Sequence, residues 1–294
     1  MFTAILSQLF PLLPLALAVY ISFFILRATD LTLDGSFVLG AAVFAKMLEL
    51  NYAPMLAGIA ALTAGMLAGT GVALIQRKQK IDSLLAGILA TFVLLSVNLL
   101  IMGRPNISLL AKVTLVSTGI NASDLSVNIL SGAYSSILCL GVCLILVTRY
   151  GLLLRAFGDN PNLLHRLGKN VETHRIGGFA LTNSLAAASG CLTAQTIGYA
   201  DIGMGFGLTL TALGAVILGQ QLLQKLSPKH LLHGIQAFAV CLLGVAFYLL
   251  ATNGLLRLNL NPIYLKMVLG LTLIMFLRTA NICTTKRIYE SPTT

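Results

Sequence analysis

Long apolar runs separated by short polar segments dominate the chain. They fall at residues 4–26, 36–48, 53–75, 84–102, 127–148, 176–197, 207–223, 234–251 and 263–279. About 20 apolar residues in helical form cross a hydrocarbon core of about 30 Å, and most of these runs approach that length. Backbone polar groups in lipid must be satisfied within the segment, so the runs are predicted to be helices. The short alternating segments of a membrane barrel are not present. The pattern predicts an all-α polytopic membrane protein of about eight or nine transmembrane helices. The run at 36–48 is short, and it predicts a tilted, broken or re-entrant piece. No connection is long enough for a soluble domain, so residues 1–294 read as one transmembrane domain. The N-terminal run lacks a basic flank and a cleavage site, and is expected to be a retained helix.

Composition agrees. The chain is 57% hydrophobic and 10% charged, where a soluble domain carries about 25% charged residues. A net charge of +10 would suggest nucleic acid in a soluble protein. Here the cations cluster in short loops, which is the signature of membrane orientation, so no nucleic-acid partner is expected. If 36–48 spans, 14 of the 19 Lys and Arg lie on one side. The loops at 76–83, 149–175 and 224–233 and the C-terminus are then cytoplasmic. The N-terminus is outside if 36–48 spans and inside if it is re-entrant.

Chemical motifs narrow the function. The sequence holds no phosphate-binding GxxxxGK[ST], no HExxH and no GxSxG, so neither ATP hydrolysis nor an intramembrane hydrolase is expected of this chain. The nine Asp and Glu all fall near segment ends or in loops, and none sits mid-span as a proton relay would. Energy for transport would have to come from a partner. The five cysteines show no metal-ligand spacing and are expected to be buried, inert thiols. The four histidines lie on the basic side, and no metal is assigned.

The most unusual loop is Arg155-Ala156-Phe157-Gly158-Asp159-Asn160-Pro161, continuing through Arg166 to Gly168. Asp159 or Asn160 is positioned to cap a helix starting near Pro161, and Gly168 to end it. Such a short capped helix is either a handle for a partner or an interfacial helix held at lipid headgroups.

Two segments read as broken helices. One runs from Asp30 through Asp34, Gly35 and Ser36, and the other from Asp201 through Gly205 to Gly207. Each joins Asp, Gly and a helix start. They are either the discontinuous helices of inverted repeats or two unrelated Gly-rich turns. Asp30, Asp34 and Asp201 either cap helices or bind an amine, with capping favoured. The run at 176–197 is polar for a membrane helix, carrying Asn183 and Gln195, and Asn98 is similar within 84–102. These amides make interhelical hydrogen bonds or contact a solute. Gly65-xxx-Gly69 and Gly203-xxx-Gly207 have the spacing of helix-packing motifs.

Several of these segments together resemble a known family. They are Asp30-Leu-Thr-Leu-Asp34-Gly35-Ser36-Phe, Leu85-Ala-Gly87-Ile-Leu-Ala-Thr91 with Asn98 and Gly103-Arg104-Pro105-Asn106, Arg155-Ala-Phe-Gly158-Asp159-Asn160, Thr182-Asn183-Ser184, Gly190-Cys-Leu-Thr-Ala-Gln195 and Ala200-Asp201-Ile-Gly-Met-Gly205. The ordered set resembles bacterial ABC-transporter permeases of the branched-chain amino acid, ribose and basic-membrane-protein group. The branch paired with tryptophan/tyrosine-type binding lipoproteins is the most similar. Phe157 and Cys191 depart from the usual residues of that pattern.

The resemblance implies a permease in the bacterial inner membrane, acting as a homodimer or with a near-identical partner. Two cytoplasmic ATPases carrying ATP and Mg would dock on Arg155, Gly158, Asp159, Asn160, Pro161, Arg166 and Gly168. An extracytoplasmic protein would deliver a small solute, with aromatic amino acids favoured. Asp30, Asp34, Gly35, Ser36, Asn98, Asn183, Gln195, Asp201 and Gly205 would mark the translocation pathway. The alternatives to an ABC importer subunit are a stand-alone secondary transporter and a membrane scaffold.

Overall fold

The computed structural model describes residues 2–76, 82–110, 112–116, 124–226 and 233–257, with Met267 and Gly270. Helix α1 (Phe2–Tyr20) continues into a π-helical turn, Ile21–Ile25. Then follow α2 (Thr32–Glu49), α3 (Pro54–Ile75), α4 (Ser83–Met102), β1 (Asn106–Ser108), α5 (Asp124–Val147), α6 (Arg149–Asp159), α7 (Pro161–Arg166) and α8 (Val171–Ile197). The chain continues through β2 (Tyr199–Asp201), a 3-10 turn (Ile202–Gly205), α9 (Leu208–Leu226) and α10 (His233–Arg257). The expected run at 263–279 lies outside the described residues. So do 77–81 and 227–232, within two of the three basic loops.

Six of the described helices are long and apolar enough to cross a membrane. Helices α2 and α8 are not among them, yet they are the most enclosed. Helix α8 packs against α1, α2 and α3, and buries Thr182, Asn183, Ser189 and Gln195. A helix walled off by other helices does not face lipid, so it need not be apolar. Its polar groups instead need protein partners. The polarity of 176–197 therefore marks the interior of the bundle.

Close approach of backbones builds this interior. A Cβ on Gly40 of α2 would lie 2.0 Å from the Ala187 carbonyl oxygen of α8, and one on Gly190 would lie 1.8 Å from the Phe37 oxygen. Gly65 and Gly69 of α3 meet Asn183, Ala187 and Phe179 in the same way, as their spacing predicted. Gly203 and Gly207 are not a helix-packing pair. Gly203 sits in the 3-10 turn and Gly207, at φ +74°, precedes α9. With Asp201 accepting from the Gly203 N–H, that spacing belongs to a turn.

The two ends of the bundle differ. At one end, β1 and β2 pair antiparallel, with Ile107 opposite Ala200. There Lys46 (2.9 Å) and Arg104 (2.7 Å) bracket Glu49 and hold its carboxyl below the usual range. At the other end lie α6 and α7. Helix α2 starts four residues earlier than the hydrophobic run suggested. The 26–31 link leads into it from the α6–α7 end, and it finishes at Glu49 near the β1–β2 end. Residues 1–247 form one compact unit. In the second unit, Thr252 and Asn253 turn their side chains onto their own helix backbone.

Candidate functional site

Helix α2 begins inside the protein, and the partly exposed start of α9 meets its first turn. The first turn of a helix leaves N–H groups without intrahelical partners and carries the positive end of the helix dipole. Both termini are filled by the chain's own carboxylates. Asp30 accepts the Thr32 N–H at 2.9 Å. Asp34 reaches across 173 residues to accept the Gly207 N–H at 3.0 Å, and it also takes the Thr209 N–H (2.7 Å) and hydroxyl (2.6 Å). Asp201 does the same for the 3-10 turn, taking the Gly203 N–H at 2.7 Å. All three acids occupy capping geometry.

Asn183, thirteenth of the 27 residues of α8, closes a buried network. Its amide nitrogen donates to Asp30 Oδ2 and to the Phe179 carbonyl, each at 3.0 Å. Its oxygen accepts from Thr32 (3.1 Å) and Ser36 (2.6 Å). Thr32 also donates to Asp30. Both amide protons of Asn183 are thus used, and its oxygen accepts from Ser36 while the single Thr32 hydroxyl proton is shared between Asn183 and Asp30. Asp30, Thr32, Ser36 and Asn183 are fully enclosed. A polar cluster this buried is stable only when satisfied throughout.

The sequence-identified pathway residues separate into groups. Asp30, Ser36 and Asn183 form this network. Asp34, Gly35, Asn98 and Gly205 line a small cavity beside it. Asp201 lies at the β1–β2 end, where Asn106 donates to it at 3.3 Å. Gln195 stands apart, accepting the Leu115 N–H at 3.0 Å beside an apolar cavity of about 190 Å³. Thr32 and Thr209 were not named as site residues from sequence, although Thr near a helix start is a capping signal.

At the other end, the loop at 149–175 holds two helices where sequence predicted one. Asn160 accepts the Asn162 N–H at 3.0 Å and caps α7. Asp159 ends α6 instead and pairs with Arg27 at 2.6 Å. Gly168, at φ +66°, terminates α7, its N–H donating to His165. Helix α6 seats on the end of the π-helical turn, because a Cβ on Gly158 would lie 1.9 Å from the Ile25 oxygen. Arg27 has φ +51°, a left-handed conformation that costs an L residue about 1–2 kcal/mol. π-turns also concentrate at functional positions.

Phe157 is buried beneath Arg175, whose guanidinium lies 5.8 Å from the ring centroid and donates to the Gln76 carbonyl at 2.8 Å. Arg155 instead donates to the Leu146 carbonyl at 3.2 Å, and Arg166 ends α7. A cavity of about 440 Å³ opens among Arg27, Gln76, Ser83, Phe157, Pro161 and Arg175. No group of three or more metal-ligating side chains occurs among the described residues. Four cysteines, Cys139, Cys143, Cys191 and Cys241, are free and buried as expected. Cys283 lies outside the described residues.

Over residues 1–278 the chain matches the family described as "Branched-chain amino acid transport system / permease component". An uncharacterized protein of Rickettsia prowazekii is 42% identical, with 91% of this chain and 93% of that protein covered. A tyrosine transport system permease protein of Clostridioides difficile is 31% identical over 95% of this chain and 91% of that one. A probable ABC transporter permease protein of Escherichia coli is 31% identical over 48% of this chain and 40% of its own length. No solved structure matches.

Proposed function

The chain belongs to the family of branched-chain amino acid transport system permease components, and from that premise we propose that it is the membrane-spanning subunit of an ATP-driven, binding-protein-dependent importer of small solutes, with amino acids, and aromatic ones among them, favoured. It is a multi-pass membrane protein of the ABC permease type. The finer reading is that it sits in a bacterial inner membrane with the α6–α7 end and the C-terminus cytoplasmic. There it would pair with a second permease copy, or a near-identical partner, and two ATPase subunits.

The observation that carries this reading is the α6–α7 pair. It is capped, rigidly seated on α1 through Gly158 and tied to it by Arg27–Asp159. A force applied to α6 from outside the bundle reaches the α1–α2 break. Five residues past Ile25 lies Asp30, which holds the α2 start and Asn183. That is a contiguous path from a docking surface to the α2 start in the interior. Tyrosine is the favoured solute because of the relative that carries that name. With Asp30 and Asp34 filling the α2 and α9 termini, recognition of the solute's carboxylate would have to fall elsewhere.

The test is uptake of labelled tyrosine in cells carrying the permease, with and without a partner ATPase. Uptake that survives loss of the ATPase would instead support a stand-alone secondary transporter. Replacing Asp159 and Asn160 with Ala is expected to reduce recovery of the ATPase on affinity purification, while the permease still inserts.

A further inference from the structure

Asn98 contrasts with Asn183. It is equally buried, at 1% exposure, and lies on α4 against the first turn of α2. Its amide nitrogen donates to the Gly35 carbonyl at 3.2 Å. That bond fixes the orientation, since a flipped amide would set two oxygens against each other. Its Oδ1 has no hydrogen-bond partner among the described residues. An unfilled buried acceptor is costly, so it calls for an explanation.

Beside it lies a cavity of about 20 Å³, walled by Asp34, Gly35, Thr91, Asn98, Gly205 and Phe206. A space of about 10–15 Å³ already holds one water-sized group. The polar walls are acceptors. Thr91 commits its proton to the Leu31 and Gly87 carbonyls. Asp34 Oδ1 accepts two bonds, but Oδ2 accepts one, from Gly207, and keeps a lone pair. Two acceptors, one of them a carboxylate, select a group carrying at least two N–H or O–H protons and exclude an anion.

We propose that the Asn98–Asp34 pocket binds one small hydrogen-bond donor group, of ammonium or water size, where the α2 and α9 termini meet. Two sources carry that chemistry: an ordered water, and the amino group of the transported solute. The second source rests on the importer reading above and gives that solute a contact for its amine.

A cryo-electron-microscopy map of the full-length chain in lipid nanodiscs, resolved finely enough to show waters, tests the pocket itself. Density within about 3.2 Å of Asn98 Oδ1, lost in Asn98→Leu, is expected. A map without that density, in which the amide takes another protein partner, overturns the proposal. Uptake of labelled tyrosine then separates the sources. In the Asn98→Leu variant, a KM raised roughly tenfold with little change in maximal rate assigns the donor to the solute's amine. An unchanged KM, with the density present in the wild type, assigns it to water. Absence of tyrosine uptake by the wild type would defeat the substrate reading alone, because the map still judges the pocket. If Asn98→Leu fails to insert, the wild-type map decides.

Discussion

Asp34 in the first turn of α2 accepts the backbone N–H of Thr209 at 2.7 Å, and so caps a helix that begins 174 residues later in the chain. Thr209 is fully buried, so its N–H and hydroxyl have no water to fall back on, whereas Asp34 itself is partly exposed. Replacing Asp34 with Ala leaves two part-buried N–H groups and the Thr209 hydroxyl without that acceptor. The loss is expected to be about 1–3 kcal/mol, and Asn, a good cap in its own right, should recover part of it. Thermal unfolding of the detergent-purified variants checks this. An Ala variant as stable as the wild type would mean that α9 is held by packing alone.

Asp30 and Asn183 form the second interior pairing. Hydrogen bonds between membrane helices average about 0.6 kcal/mol, but this one joins a carboxylate to an amide that also bonds Phe179 and Ser36. A double-mutant cycle of Asp30→Asn and Asn183→Ala is expected to give a coupling energy above that average, about 1–2 kcal/mol. Additive single effects would show that the network has no shared energetics.

The hydrophobic runs located each described long helix because lipid imposes length and apolarity on the chain directly. Capping was legible at Asn160 because its acceptor and donor are two residues apart. Asp34 with Thr209 was not legible, since nothing local in either segment names its partner. The polar residues of α8 showed that it faces protein, without showing which protein. Helix α6 was hidden for a different reason. Arg149–Asp159 is too short and mixed to register as a span, and its helical state depends on seating Gly151, Leu154 and Phe157 against neighbouring elements. The Asp159–Arg27 pair was likewise invisible, because the two residues lie far apart in the chain and nothing local names either partner.

That pair also makes a functional prediction. Both side chains are about two-thirds exposed, so the pair contributes less than about 1 kcal/mol to stability. Asp159→Arg should therefore leave unfolding nearly unchanged while reducing coupled uptake. The compensating Arg27→Asp change in the same chain should restore uptake if the pair positions α6 on α1. Failure of the double reversal would place Asp159 in direct contact with the ATPase instead, and full uptake in the single variant would remove it from coupling altogether.

The packing of α2 on α8 makes the sharpest stability prediction. At Gly190 an added Cβ would lie 1.8 Å from the Phe37 oxygen and 2.7 Å from its carbonyl carbon. These are backbone atoms within a helix, so no rotamer change relieves the overlap. The two helices must separate, which would also pull Ser36 and Thr32 of α2 away from Asn183. Overpacking a core costs about 1–3 kcal/mol, and disturbing the satisfied network adds to that. Gly190→Ala is expected to lower the unfolding temperature strongly. Gly141 on α5 is the internal control, since an added Cβ there meets nothing within 4 Å. Ala is favoured over Gly in a helix by about 1 kcal/mol, so Gly141→Ala should be neutral or slightly stabilising. Differential scanning fluorimetry of both variants in one detergent measures the contrast. Equal shifts at the two positions would show that the α2–α8 contact is looser than its backbone geometry implies.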